Sequence, residues 1–387
     1  MIDLDSNATT GLLPEVLDAM MPWLRDQHAN PSGSYGAAKR ARKAIDEARA
    51  QVAGLIDAQP EEIIFTSGGT ESINTALHSL HALTDTALPA VTSAIEHSAV
   101  LRCLEALPRE VRQLPVNGAG YLELDALQQT APQAAFISLM AANNETGVIQ
   151  PLSEAIEVAR QAGIPIHSDG VQAIGKIPFS IRDHPLDLLS LSAHKFHGPK
   201  GAGALYLRST LSFEPLLRGG GQEAGRRSGT ENIAAIVGMG AAAQAARREL
   251  SGNLSARLAA MRDHFEEQVM NALEGVHRNG DMHHRLPNTT HLSFDGCEAA
   301  GLLILLDEAG LQCSAGSACM TGKQKPSHVQ IAMGISETRA RSSLRFGFSK
   351  LNCMEQVTPA AQAVIKAVNK LRAIQGSSTG PVSVYGG

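Results

Sequence analysis

Lys195 is the residue in this chain best placed for covalent chemistry. An apolar run at 186–191 leads into Ser192-Ala193-His194-Lys195 and a second, at 204–207, follows, the pattern of strand, polar loop and strand. Desolvation where a buried strand gives way to a loop lowers an amine's pKa and favours the free base that Schiff-base chemistry needs. A lysine on an exposed turn is the alternative that this stretch alone leaves open. Cys319 is the second reactive candidate. It sits in Gly316-Ser317-Ala318-Cys319-Met320-Thr321-Gly322, a small-residue stretch that leaves a thiol accessible, and Lys323 and Lys325 follow closely enough to favour its thiolate. Cys313, nearer an apolar strand end, and Cys103, in a helical pattern, read as packing residues.

Other positions call either for a ligand or for a purely structural explanation. Ser67-Gly68-Gly69-Thr70 lies between an apolar strand and a helix, where unhindered backbone N–H groups and the helix dipole suit a phosphate. A glycine turn made for packing is the alternative, and the missing Gly-Lys-Ser/Thr ending excludes a Walker loop. His167-Ser168-Asp169-Gly170-Val171-Gln172 closes another strand. Asp169 there either pairs with a cationic nitrogen or caps a helix, and Gln172 could donate to a nearby oxygen. Asn143-Asn144-Glu145-Thr146-Gly147 carries the same double reading, as turn or as ligand. His97, at a helix start, is an acid–base candidate or a structural histidine. Arg345, a charge inside the strand pattern of 343–348, needs a carboxylate from the protein or from a substrate.

Holding these residues together requires a sheet. Apolar strand patterns at 62–66, 90–94, 111–116, 134–140 and 164–167 alternate with helical periods at 67–83, 97–107, 123–129 and 152–162. Such alternation predicts an α/β fold with a largely parallel sheet wrapped by helices, and ligands at the carboxyl ends of its strands. A helix at 232–250 closes the large domain, and beyond it a helix at 254–273, strands at 291–294 and 343–348, and further helices at 298–309 and up to 374 predict a smaller α+β domain at the C-terminal end. The expected division is a large domain over 15–250, a small domain formed by 1–14 with 251–375, and a mobile tail over 376–387.

Composition narrows the function classes. A net charge of −5, scattered basic residues and an aromatic content of 4% give no nucleic-acid surface. No apolar run reaches membrane-spanning length, and Met1-Ile2-Asp3-Leu4-Asp5 lacks the basic start of a signal peptide. Five cysteines, an odd number without a CxxC pair, argue against a disulfide framework or a zinc site and for a reducing cytoplasm. No metal is expected.

One ligand accounts for an anion site, a reactive lysine, a carboxylate for a ring nitrogen and amide donors for a ring oxygen: pyridoxal 5'-phosphate. With these residues in this order the chain resembles the cysteine desulfurases of the NifS/IscS type, among the fold-type I pyridoxal-phosphate enzymes. The likeness runs from Asp5-Ser6-Asn7-Ala8-Thr9-Thr10 to about Phe348. It includes Phe65-Thr66-Ser67-Gly68-Gly69-Thr70-Glu71-Ser72, Glu96-His97, Arg226-Arg227-Ser228-Gly229-Thr230-Glu231-Asn232 and Ser343-Leu344-Arg345-Phe346. The resemblance implies a mainly parallel, seven-stranded large domain, Lys195 as Schiff-base lysine and Asp169 as partner of the pyridine nitrogen. It puts Gln172 and Asn144 near the ring oxygen and His97 on the ring as an acid–base group. It implies phosphate contacts from Gly69, Thr70, Ser192 and His194, with Thr230 reaching in from the second subunit of a homodimer. Arg345, with Asn7 and Asn30 nearby, would hold the carboxylate of L-cysteine, and Cys319 would take its sulfur as a persulfide, leaving alanine. A sulfur-acceptor or scaffold protein is the implied partner, in iron–sulfur cluster or thiolation pathways, and the lysines after Cys319 are expected to select an acidic acceptor if they do not act on the thiol. A selenocysteine lyase, another fold-type I activity or a catalytically silent binding homologue are the competing readings. An aminotransferase would have no use for Cys319.

Overall fold

The computed structural model describes residues 1–316 and 326–376. Cys319, Lys323, Lys325 and, beyond Gly376, the expected tail lie outside the described residues. A short strand, β1 (Ile2–Asp3), opens the chain. The large sheet contains β2 (Ile63–Thr66), β3 (Ala90–Ser93), β4 (Val111–Leu114), β5 (Phe136–Ser138), β6 (Ile166–Asp169), β7 (Leu188–Ser192) and β8 (Gly203–Leu207), in the order β2-β8-β7-β6-β5-β3-β4. Strand β8 is antiparallel to β2 and β7, and every other pairing is parallel. The expected mainly parallel seven-stranded sheet forms, with one strand reversed. Only residues 193–202 separate β7 from β8, fewer than a crossover to a parallel neighbour needs.

Strands β2, β3, β6, β7 and β8 are buried along their whole length because helices cover both faces, which is why β2, β7 and β8 read as mainly apolar runs; β6, Ile-His-Ser-Asp, is buried although mostly polar. The edge strand β4 is only partly buried and carries Arg112 and Gln113. On one face the helix Gly36–Leu55 turns Ala38, Ala41, Ile45, Ala48 and Val52, spaced by three or four, into the core. It packs on the helix Ile233–Leu250, and small residues set the approach: a Cβ at Gly240 would lie 2.7 Å from the Cα of Ala48.

The remaining strands are β9 (Val276–Arg278), β10 (Thr289–Phe294), β11 (Leu311–Gln312), β12 (Ser314–Ala315) and β13 (Ser343–Gly347). Four of them form an antiparallel sheet ordered β12-β13-β10-β9, and β11 pairs in parallel with β1. The sequence pattern predicts only β10 and β13; the others are two or three residues long, too short for a period of two to emerge. Phe265, Phe294, Phe346 and Phe348 centre a second apolar core, distinct from that of the large sheet.

The N-terminal segment ties the two cores together. Leu4 belongs to the second core and Leu13 to the first. Between them, Ser6 N–H donates to the Gly347 carbonyl at 3.1 Å, and both the N–H and the hydroxyl of Thr10 donate to the His194 carbonyl at 2.9 Å. A Cβ at Gly347 would meet Asn7 Oδ1 at 2.7 Å, so glycine is needed there for the segment to pass. The chain around Asn7 is therefore pinned against the turn that carries Lys195. Among the described residues no helix is long and apolar enough to cross a membrane.

Candidate active site

The carboxyl ends of β6 and β7 deliver Asp169 and Ser192, and the 3-10 turn after β7 delivers His194 and Lys195. The helix Gly69–Leu83 starts beside them, and together with the N-terminal segment and Arg345 of β13 these pieces line a cavity of about 370 Å³. Lys195, Asp169, His97, Gln172, Asn144 and Arg345 all line it, as do Gly69, Thr70, Ser192, His194 and Asn7.

The Lys195 Nζ donates to the carbonyls of Asn7 and Ala8, at 2.7 and 2.8 Å. Burial, reinforced by repulsion from Arg345 and opposed by Asp169 and Asp5, lowers its pKa to about 8. The amine is thus held in place and close to its free-base range. Asp169 is buried, and desolvation raises its pKa against the pull of His97 and Lys195. It caps no α-helix: Oδ1 accepts the Val171 N–H at 3.0 Å in a tight turn, and no helix is formed over 170–177. The carboxylate is then available to a cation in the cavity.

His97 is structural and also lines the cavity. It is the N-cap of the helix Ser98–Ala106, where Nδ1 accepts the Ala99 N–H at 3.1 Å, and its ring lines the cavity. That bond fixes the neutral tautomer with the proton on Nε2. Desolvation lowers its pKa, Asp169 partly offsetting this, so the ring stays neutral. His194 is likewise depressed, to about 4, by desolvation and the neighbouring lysines.

At the helix Gly69–Leu83 the first intrahelical donor is Ser72, whose N–H goes to the Gly68 carbonyl. The N–H groups of Gly69, Thr70 and Glu71 have no acceptor within the helix. Glu71 reaches back to cap Ser67 N–H at 2.9 Å, leaving the Gly69–Thr70 corner as the donor surface. A Cβ at Gly69 would lie 2.8 Å from Val171 Cγ2, so only glycine lets this corner sit against the Asp169 turn. The Asn143-Asn144 pair divides its two roles. Asn143 makes the turn, its Oδ1 accepting from the N–H groups of Glu145 and Thr146, while Asn144 lines the cavity.

Arg345 is 7% exposed. Nη1 donates to the Asn144 carbonyl and Nη2 to Asp5 Oδ1, both at 2.9 Å, and Nε is buried without a partner. A buried guanidinium lining the cavity with a donor to spare suits an incoming carboxylate. Asn7, expected beside it as a substrate ligand, is 1% exposed and committed to the protein: Nδ2 donates to Thr289 Oγ1 at 2.9 Å and Oδ1 accepts from Asn288 at 3.0 Å. Its backbone carbonyl is the part that faces Lys195.

Two expected residues do not line the cavity of this single chain. Asn30 is exposed, its Oδ1 accepting the Ser32 N–H at 2.9 Å. Thr230 is exposed on the polar segment 219–231. That segment is held by Glu223, which takes both Nη groups of Arg49 at 2.7 Å and the Phe65 N–H at 2.9 Å. Glu223 and Ala224 adopt left-handed φ values of 50° and 55°, a conformation L-residues avoid at roughly 1–2 kcal/mol each. The bidentate pair offsets that strain.

Residue types and spacing did not single out Asp5, Glu145 or Lys176. Glu145 is fully buried, its pKa raised to about 7 by desolvation, and it accepts from Ser327 Oγ at 2.6 Å. A Cβ at Gly316 would lie 2.6 Å from Glu145 Oε2. Glu145 therefore touches both ends of the segment that contains Cys319. The signal for Lys176 was a charge within the otherwise apolar Ile174-Gly175-Lys176-Ile177, four residues after Gln172. The packing expectation suits Cys313, whose thiol burial pushes up to about 12.

The family model described as aminotransferase class-V matches residues 2–359. A cysteine desulfurase of Cereibacter sphaeroides is 43% identical over 377 residues, with 96% of each chain covered. A solved NifS-like protein superposes with a TM-score of 0.89 at 34% identity, over 95% of this chain and 99% of that one. A structure described as SspA in complex with cysteine gives a TM-score of 0.78 at 33% identity, over 90% and 99%. The chain belongs to the aminotransferase class-V family and, within it, to the cysteine desulfurases of the NifS/IscS type.

Proposed function

We propose that this chain binds pyridoxal 5'-phosphate in the Lys195 cavity and uses it to move the sulfur of L-cysteine onto Cys319, releasing L-alanine. The observation that carries the reading is the convergence on one cavity of a lysine with a depressed pKa, a buried carboxylate, a neutral histidine, a helix N-terminus and a buried arginine. The donor set fits the cofactor. The Gly69–Thr70 corner, Ser192 and neutral His194 would hold its phosphate, Asp169 its ring nitrogen, and Gln172 and Asn144 its ring oxygen, with His97 against the ring. When bound, the cofactor supplies an aldehyde for covalent capture of an amine and a ring that takes up the electron pair released at the substrate's α-carbon.

The protein's own groups do the rest. Arg345 holds the substrate carboxylate, setting the α-carbon beside Lys195, whose free amine takes the α-proton and returns one to it. His97, neutral with its proton on Nε2, is the second proton carrier. The Cys319 thiolate attacks the substrate sulfur. The S–S bond forms as the C–S bond breaks, its electron pair stays with the β-carbon, and protonation there leaves the methyl group of alanine. Glu145, bonded at Ser327 and packed at Gly316, anchors the ends of the segment through which the persulfide is handed on. The acceptor of that sulfur, a scaffold or other protein, and a homodimer in which the exposed Thr230 meets the second subunit's phosphate site, belong to the same reading, as does a cytoplasmic location.

The test is to load the purified protein with pyridoxal phosphate, add cysteine without reductant, and assay alanine together with the mass of the Cys319 peptide. Alanine with one added sulfur on that peptide is expected, and Cys319→Ser should lose the adduct. Alanine with no adduct in the native enzyme would instead make this a lyase that releases its product directly.

Arg345→Ala is expected to raise KM for cysteine by about 10- to 100-fold, the worth of a lost charge-assisted pair, with a smaller change in kcat. Steady-state kinetics check it. Unaltered KM would move the carboxylate site elsewhere.

A further inference from the structure

Gln172 has a second neighbour that the proposed function does not use. Lys176, four residues on, is 6% exposed, and its hydrogen-bond partners among the described residues are amide oxygens, Gln172 Oε1 and Asn7 Oδ1. Its Nζ donates to Gln172 Oε1 at 2.5 Å and lies 3.4 Å from Asn7 Oδ1. Gln172, itself 5% exposed, uses Nε2 to donate to the Asn7 carbonyl at 3.0 Å. That carbonyl is also the acceptor of Lys195 Nζ.

The Asn7 carbonyl can only accept, so it demands the amide nitrogen, and Lys176 Nζ supplies the amide oxygen with its donor. Turning the amide over would set acceptor against acceptor at Asn7 and take Oε1 away from that donor. Nε2 carries two hydrogens, and the Asn7 carbonyl takes one. The other remains for the cavity that Gln172 lines.

We infer that Lys176 is a positioning residue, which by holding Gln172 Oε1 keeps the Gln172 NH2 turned to the cavity as the donor to the cofactor's ring oxygen. The inference rests on the cofactor reading above. Without Lys176, Gln172 Oε1 is a buried acceptor with no donor, and the amide is free to turn it toward whatever donor or water it finds. A donor to an anionic ring oxygen offsets part of that oxygen's charge. Its loss lets the oxygen hold a neighbouring proton more tightly, so the pH midpoint at which the bound cofactor's visible band changes should rise.

The experiment is a pH titration of the visible band in full-length protein loaded with pyridoxal phosphate, for the native chain, Lys176→Met, Gln172→Ala and the double variant. Lys176→Met and Gln172→Ala are each expected to raise the midpoint by about one pH unit. The double variant is expected to match Gln172→Ala alone, because Lys176 acts through that amide. Should Lys176→Met not fold, Lys176→Gln, a shorter side chain that leaves the contact open, replaces it with the same expectations. A midpoint unmoved by loss of Lys176, in protein that carries the band, overturns the inference and leaves the cofactor reading standing. So does a shift that persists in full in the Gln172→Ala background, which would make Lys176 a direct electrostatic neighbour of the cofactor. A native protein that takes up no cofactor overturns both.

Discussion

Lys195→Ala is expected to abolish covalent capture of pyridoxal phosphate and to reduce alanine formation from cysteine by about a thousandfold or more. The variant removes both the amine that captures the aldehyde and the base that moves the α-proton. Lys195 is prepared for both roles by geometry: two backbone carbonyls hold its Nζ, and burial lowers its pKa to about 8. The sign of the pH dependence follows. Only the free amine attacks a carbonyl, so covalent uptake should quicken as pH rises toward 8. Two units below, at pH 6, the free amine has fallen to roughly one part in a hundred and uptake should slow in proportion. Stopped-flow absorbance on cofactor-free protein measures it. There is a specific rival, because Lys176 is buried in the same neighbourhood with its pKa lowered well below the usual range, chiefly by desolvation. Reduction with borohydride followed by peptide mapping separates the two. A label on Lys176, or a Lys195→Ala protein that still holds cofactor after denaturation, would assign the chemistry to the wrong lysine.

Asp169→Asn is expected to lower kcat by about a hundred- to a thousandfold while the fold is retained. Removing one partner of a buried ion pair costs about 3–5 kcal/mol, because the other charge is left uncompensated. The substitution isolates charge from shape. The amide oxygen of asparagine can still accept the Val171 N–H that Asp169 Oδ1 takes at 3.0 Å, so the turn after β6 keeps its hydrogen bond. With the carboxylate gone, a ring nitrogen in the cavity loses the partner that keeps it protonated, and the ring becomes a weaker electron acceptor. A variant with native kcat would leave Asp169 with its turn and no part in the reaction. Comparing kcat with the thermal midpoint distinguishes the two, since a purely structural carboxylate would affect the second and spare the first.

The sequence by itself determined the sheet and the chemistry hung on it. Buried strands such as Leu188–Ser192 must be apolar on both faces, so they stand out from the polar turns that carry Asp169, His194 and Lys195. Gly68-Gly69 at a strand-to-helix junction was legible for the same local reason. What only the tertiary structure decided are the contacts that arise where distant segments meet. The Asn7 and Ala8 carbonyls reach Lys195 because the N-terminal segment is stitched to Gly347 on one side and to His194 on the other. Nothing in the local pattern around Asn7 says that its side chain is committed to Thr289 and Asn288 and that its backbone carbonyl is the part that meets Lys195. Asp169 and Asn143 each had two local explanations, and the answers depended on whether a helix followed and on which side chain the turn consumed. Lys176 and Glu145 look ordinary as sequence because hydrogen-bond demand is a property of burial, and burial is fixed by packing between segments far apart in the chain. Local pattern is written by neighbours within a few residues; satisfaction of buried polar groups is written by the whole fold.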